Sequence, residues 1–256
     1  MKISIITVSF NSASTVRDTI ESVLTQTYKN IEYIVVDGKS NDNTVGIIQS
    51  YESKFGGRLH WISEPDKGLY DAMNKGIQMA TGDVVGIINS DDFYHRNNII
   101  EEIIKVFLED ASIQATFGDV RFVNPNNLNK TVRYYCSKNF NVNRFRLGFM
   151  PPHPTFFTYK YNFEKFGYYQ TNYQIAADYE LLIRFLYKNR LKYKYIDLDI
   201  MKMRTGGTST ASIKSNIVLN QEIVRGCREN GIYTNLIILS LKYFVKIFEL
   251  IFTKNK

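Results

Sequence analysis

Asp91 and Asp92 stand side by side just after the apolar run VVGIIN, with Ser90 between run and pair. Adjacent carboxylates repel, so something must offset them. A hard divalent cation, Mg2+ or Mn2+, would do so, because it takes oxygen ligands and bridges to phosphate. A helix N-cap or a plain turn uses the same residue types. Asp37 closes a second apolar run, IEYIVVD. Asp178 opens AADYELLIRF, where a first-turn carboxylate also suits a helix start for its own sake. His153 sits among Pro151, Pro152 and Pro154. Asp66 and Lys67 precede the run GLYDAMNKG; backbone N–H groups at a helix start point outward and favour an anion.

The elements that must position these groups alternate. ISIITVSF, IEYIVVD, RLHWI and DVVGIIN read as strands, rich in β-branched residues. Between them STVRDTIESVL, TVGIIQSYESKF and GLYDAMNKGIQMA carry apolar residues at helical spacing, and NNIIEEIIKVFLED follows as a fourth helix. Ser12 or Ser14 can cap the first helix. In GLYDAMNKGIQMA the stripe is Leu69, Ala72, Met73, Gly76, Ile77 and Ala80. Val8 and Phe10 read as core. A βαβαβαβ order predicts a mostly parallel α/β sheet with helices on both faces. Ligands on such sheets bind beyond the carboxyl ends of the strands, so Asp37 and the Asn89–Asp92 turn should share one rim.

Beyond residue 113 the pattern changes. QATFGDVRFV and KTVRYYC read as strands around a polar turn, AADYELLIRFLYKN as a helix, and MRTGGTST as a flexible lid. SIKSNIVLNQEIVRGCREN and NLIILSLKYFVKIFELIF read as two closing helices.

The 256 residues are 44% hydrophobic and 22% charged, enough for a full core. The net charge of +7 fits an ordinary soluble surface, an anionic ligand, an anionic membrane face or nucleic acid, and does not choose among them. Cys136 and Cys227 give neither zinc spacing nor a disulfide framework, which suits a reducing compartment. The N-terminal apolar run is too short for a leader, and no uncharged stretch has the length of a membrane span. SFNSAS after the first strand is not a G-x-G-x-x-G loop, and DGKS lacks a P-loop because Tyr33 holds the position of its first glycine.

Taken together, SIITVSFNSASTVRDTIESVLTQTYKNIEYIVVDGKSNDNT, SEPDKGLYDAMNKGIQMATGDVVGIINSDD, MPPHPTFF and AADYELLIRF resemble the inverting family 2 glycosyltransferases of GT-A fold, in particular bacterial enzymes of exopolysaccharide and O-antigen assembly. The resemblance is dense over residues 1–95 and looser over 148–210. It implies a GT-A, Rossmann-like sheet in residues 1–210, with a nucleotide-sugar half (1–112), an acceptor half (113–210), and C-terminal helices in 211–256. It implies Asp91 as the main metal ligand with Asp92 in support, although Asn89 stands where the family usually has a first Asp. It implies a donor-nucleotide pocket of Thr7, Ser9, Asp37, Lys67, Asn74 and Ser90, with Arg204 reaching the diphosphate beside Thr208 or Ser209. Asp178 matches the general base, ahead of Glu180, and His153 an acceptor or diphosphate contact. Asp71 reads as a local structural or sugar-contact residue.

The expected partners are a nucleotide-diphospho-sugar, UDP-linked by preference, and a saccharide or lipid-linked saccharide acceptor, with a divalent cation as cofactor and no nucleic acid. The last helix has Asn235, Lys242, Lys246, Glu249 and Thr253 on one narrow polar stripe. Residues 235–256 would therefore lie on a membrane surface or against the domain or a second subunit, and the expected place is the cytoplasm, at the inner face of the plasma membrane. A sugar-nucleotide nucleotidyltransferase and a non-catalytic nucleotide- or membrane-binding module stay open as alternatives.

Overall fold

Ile3–Ser9 forms strand β1, and all seven of its residues are buried. A computed structural model describes residues 1–206 and 213–242 of the chain. β2 (Ile31–Asp37) is equally buried, and β3 (Leu59–Ser63) and β4 (Val84–Asn89) complete a parallel group in the order β3-β2-β1-β4. Period-two alternation splits these strands between two cores. Ile6, Val8, Ile34 and Val36 face one way, while Ile3, Ile5, Tyr33 and Val35 face the other. Helix α1 (Val16–Leu24), the short pair α2 (Thr44–Gln49) and α3 (Glu52–Phe55), and α5 (Ile99–Glu109) cover the second face; α4 (Leu69–Met79) covers the first.

The rest of the sheet is mixed. β8 (Phe157–Tyr159) runs antiparallel to β4, and β6 (Ala115–Asn124) antiparallel to β8. β9 (Tyr193–Arg204) is parallel to β6, the two-residue β5 (Phe93–Tyr94) is antiparallel to β9, and β7 (Asn127–Tyr135) hangs on β6. One nine-stranded sheet therefore runs through both halves of the chain. α6 (Lys160–Phe166) follows β8, and α7 (Ala177–Leu182) continues into a π-helical turn, Ile183–Lys188. α8 (Ile213–Glu229) packs against α7.

Local differences from the sequence reading have local causes. TVGIIQSYESKF breaks into α2 and α3 at Ser50 and Tyr51. Neither Ser12 nor Ser14 caps α1; Thr15 holds the cap position without a side-chain bond, and the Ser12 hydroxyl is paired with Ser90 instead, 2.8 Å away. On α4 it is Tyr70 that is buried, while Leu69 is 49% exposed.

The amino ends of the parallel strands are tied by one carboxylate. Glu32 accepts from the Ser4 hydroxyl at 2.6 Å, the Thr81 N–H at 2.8 Å, the Thr81 hydroxyl at 2.6 Å and the Lys2 ammonium at 2.9 Å. Burial works against its charge, but these four donors outweigh it and pull its pKa down to about 2.

Residues 236–242 are helical, and their polarity is turned around. Lys242 is buried with its ammonium on the Asn220 side chain of α8, 2.6 Å away, whereas Leu236, Ile237 and Leu241 are exposed. Thr208, Ser209, Lys246, Glu249 and Thr253 lie outside the described residues. Among the described residues, no helix is long and apolar enough to cross a membrane.

Candidate active site

Strand register puts the acids on one rim. Ser9 of β1 pairs with Asp37 of β2, and Val8 pairs with Asn89 of β4. The Asp91–Asp92 turn follows directly. Asp92 is 1% exposed and accepts from the Asn89 amide at 3.0 Å. Burial first, then the Asp91 charge, hold its carboxyl well above the usual range; the Asn89 amide and the Arg204 guanidinium offset part of this. Asp91 is only half-buried, and among the described residues its carboxylate accepts no hydrogen bond. Arg204, at the end of β9, straps the turn: it donates to the Asp91 carbonyl and to the Asp18 carboxylate of α1. The Thr19 hydroxyl, also from α1, donates to the Asp92 carbonyl at 2.7 Å.

This donor set suits one kind of cation. Among the described residues, no cluster of three or more His, Cys, Asp or Glu side chains is placed to hold a metal. One accessible carboxylate, Asp91, backed by a buried one, fits an ion that keeps phosphate and water in most of its positions, as Mg2+ and Mn2+ do.

Asp37 is fully buried, and its acceptor capacity is taken up within the protein. Oδ1 accepts from the Ser9 hydroxyl at 3.1 Å and the Ser40 hydroxyl at 2.5 Å; Oδ2 accepts from the Ser40 N–H at 2.9 Å and the Ser63 hydroxyl at 2.7 Å. It thus fixes the ends of three strands. The loops after β1 and β2 are cross-linked as well. The Asn11 N–H donates to the Ser40 hydroxyl at 2.8 Å, and the Asn41 N–H donates to the Asn11 side chain at 2.9 Å. Asn11 and Lys39 hold left-handed backbone there, with φ of 49° and 64°. Such conformations cost energy for non-glycine residues and concentrate at functional sites. A Cβ on Gly38 would come within 2.6 Å of the Asp66 carboxylate, so the glycine lets that side chain lie close against the loop after β2.

The other predicted pocket residues divide. Thr7 lies deeper, fully buried, accepting from the Tyr33 hydroxyl at 3.0 Å. Ser9 and Ser90 are at the rim. Lys67 is exposed before α4, and its N–H donates to the Asp71 carboxylate at 2.9 Å. Asn74 spends both ends of its amide on the Tyr169 backbone, at 2.9 Å each. Phe10 is not core: the strand ends at Ser9, and the ring is 60% exposed at the rim beside Gly38.

Asp178 lies in the first turn of α7, half-buried, while Ala176 is the cap residue. Its carboxylate accepts from the Tyr179 N–H at 2.7 Å. Burial raises its pKa to about 6, the backbone N–H resists, and the charge of Glu222 adds to the rise. Tyr70 of α4 and Tyr169 feel the Asp178 charge, and their rings stack 5.8 Å apart. The Tyr70 hydroxyl donates to the Ile175 carbonyl, joining the amino end of α4 to the segment before Asp178. His153 is buried in a 3-10 turn, hydrogen-bonded to the Tyr169 hydroxyl, and burial lowers its pKa to about 4. It is therefore neutral near pH 7 and stands behind Tyr169, not on an open surface. Glu180 is buried in an ion pair with Arg184, 3.0 Å apart. The sequence reading missed Phe10, Tyr70 and Tyr169; the polar NSAS after Phe10 is the signal that the strand had already ended.

A profile of the family described as "Glycosyl transferase family 2" matches residues 4–184. An uncharacterized glycosyltransferase of Mycobacterium tuberculosis is 32% identical over 71% of this chain and 68% of its own length. A PGL/p-HBAD biosynthesis glycosyltransferase of Mycobacterium bovis is 24% identical over 87% and 82%. Among solved structures, S. aureus TarS 1-349 in complex with UDP superposes with a TM-score of 0.66 at 16% identity, over 91% of this chain and 67% of that one. A mannosyltransferase, PcManGT of Pyrobaculum calidifontis, in complex with GDP-Man and Mn2+, gives a TM-score of 0.64 at 16% identity, over 89% and 63%. The chain spans 39% of the longer S. aureus TarS structure. The fold is the mixed α/β GT-A arrangement of these transferases, and the chain belongs to glycosyl transferase family 2.

Proposed function

We propose that this glycosyltransferase moves a sugar from a nucleotide-diphospho-sugar, UDP-linked by preference, to a hydroxyl of a surface-glycan or lipid-linked saccharide, with inversion in a single displacement. The observation that carries the reading is Asp178: a half-buried carboxylate with a pKa near 6 and Tyr70 and Tyr169 around it. A base poised there is ionised at neutral pH yet basic enough to take a hydroxyl proton as the oxygen attacks the anomeric carbon. The Tyr70 hydroxyl links the segment before Asp178 to the amino end of α4.

Phe10 offers its exposed ring for stacking on the base of the nucleotide. Ser9, Asp37 and Ser63 hold the floor of that pocket, and Lys67 stands ready for a phosphate. Asp91, with Asp92 behind it, would hold a divalent cation on the diphosphate, where it would offset charge on the leaving group. Arg204 keeps a positive charge at the same turn. Relatives crystallised with UDP and with GDP-Man and Mn2+ support the donor class and the cation. A panel of UDP- and GDP-sugars, with Mn2+ or Mg2+ and lipid-linked saccharides, tests the reading through nucleotide release. Failure of both UDP and GDP to bind by titration calorimetry, with or without metal, would refute it.

A further inference from the structure

α8 lies beyond the stretch that the family profile covers, yet it holds the segment leading to Asp178. Glu222, half-buried on α8, accepts from three consecutive backbone N–H groups: Gln174 at 2.7 Å, Ile175 at 2.9 Å and Ala176 at 2.9 Å. α7 has no side-chain cap of its own, and the first N–H groups of a helix need an acceptor. Glu222 supplies one from 46 residues away and places a negative charge at the positive end of α7. The peptide plane is gripped from the other side too, since Tyr70 of α4 donates to the Ile175 carbonyl.

The rest of the α8 face is committed to the same segment. The Arg225 guanidinium lies 4.3 Å from the Tyr173 ring centroid and donates to the Asn172 carbonyl at 3.2 Å. Glu229 accepts from the Tyr173 hydroxyl at 2.6 Å, and the Asn230 amide donates to Glu180 of α7 at 3.1 Å. Gly226 faces the backbone and Cβ of Glu180.

We infer that Glu222 is a positioning residue for transfer: by capping residues 174–176 from α8 it sets where the Asp178 carboxylate sits. This rests on the reading of Asp178 as the base. A group placed an ångström away from its productive position loses about a hundredfold in rate, whereas donor binding on the other loops is untouched. The groups facing Asp178 are Tyr70 from α4, Tyr169 from the segment after α6, and Glu222 from α8.

The test compares wild type, Glu222→Gln, Glu222→Asp, Asp178→Asn and the Asp178→Asn/Glu222→Gln double variant, as full-length chains. Three quantities are read: hydrogen exchange at amides 174–176, UDP affinity by calorimetry, and the pH profile of nucleotide release from the UDP- and GDP-sugar panel, with water as acceptor where no saccharide serves. Glu222→Gln should speed exchange at those amides and slow release about tenfold or more, with UDP affinity within about twofold. It should also move the acid limb of the profile to lower pH, because a negative neighbour of Asp178 is removed. Glu222→Asp should recover part of the rate, and the double variant should be no slower than Asp178→Asn. A loss of folded protein would scale the profile without moving its limb. Wild-type rate and limb in Glu222→Gln, with Asp178→Asn inactive, would overturn the inference alone. Wild-type release from Asp178→Asn would overturn the base assignment and the inference with it.

Discussion

Glu32 at the amino ends of the parallel strands and Asp92 at their carboxyl ends are both buried carboxylates, yet their surroundings act on them in opposite ways. At the amino ends Glu32 is buried, yet four donors surround it and its pKa falls to about 2. At the carboxyl ends Asp92 has one amide for its carboxylate and its pKa rises; Asp178, across α4, rises to about 6. Burial pushes the pKa of all three up; donor supply outweighs it at Glu32, and neighbouring charge, Asp91 beside Asp92 and Glu222 beside Asp178, adds to it at the others. The amino end is built for cohesion. The carboxyl end satisfies Asp37 in the same way, with four donors, but leaves Asp92 with a raised pKa beside Asp91, the usual trade of stability for function.

Asp178→Asn should break that contrast most sharply. Transfer should fall about a hundred- to ten-thousandfold while UDP still binds. The variant should also melt higher, because a carboxylate held in unfavourable surroundings becomes neutral; allowing for its partial exposure, the gain is about 1–2 kcal/mol. Turnover by Asp178→Asn at the wild-type rate would assign the proton transfer elsewhere.

Glu32→Gln is the converse experiment. It leaves hydroxyl and amide donors poorly matched at the foot of the sheet and should cost about 2–4 kcal/mol in urea denaturation. The rate per folded molecule should not change. A matching loss of rate would mean that the two ends are coupled.

The pH windows should separate too. The rate should fall about tenfold per unit below about pH 6, as Asp178 takes up a proton. Glu32 has a lowered pKa, so its stabilisation is complete above about 4.5 and fades as pH falls from there toward 2. Between those windows the enzyme should be folded and slowed by up to about thirtyfold, which circular dichroism beside nucleotide release will show. The smallest effect belongs to Asn89→Asp. It replaces the amide that donates to Asp92 with a third acid, and should cost about 1 kcal/mol at pH 7. Added Mn2+ should recover part of that loss, and no recovery would count against a cation at this turn.

Much of the fold was legible because its signals are local. The β-branched runs and the alternation of strands and helices in the first half follow from periodicity, and the shared rim of Asp37 and Asp91 follows from the parallel sheet they imply. Phe10 was misread because alternation was carried one residue past the strand end. Lys242 faces inward because its partner, Asn220, lies on another helix, and no pattern within the last helix encodes that. Strand β9 and the short β5 were not assigned, since YKYIDLDIMKMR mixes charges with apolar residues and is only half-buried. The candidate acids were named by residue type, but their surroundings were not: Glu222, Tyr70 and Tyr169 meet the segment around Asp178 through contacts made only after folding.

The knot of Asn11, Lys39, Ser40 and Asn41 makes substitutions at the rim interdependent. Asn11 and Lys39 both depart from ordinary backbone, and each loop supplies the other's hydrogen bonds. A change in one loop therefore alters what the other will accept, and paired changes there will depart from additivity. In a library, tolerance at Asn11 should be read only together with the residue found at Ser40, because the two loops vary as one unit.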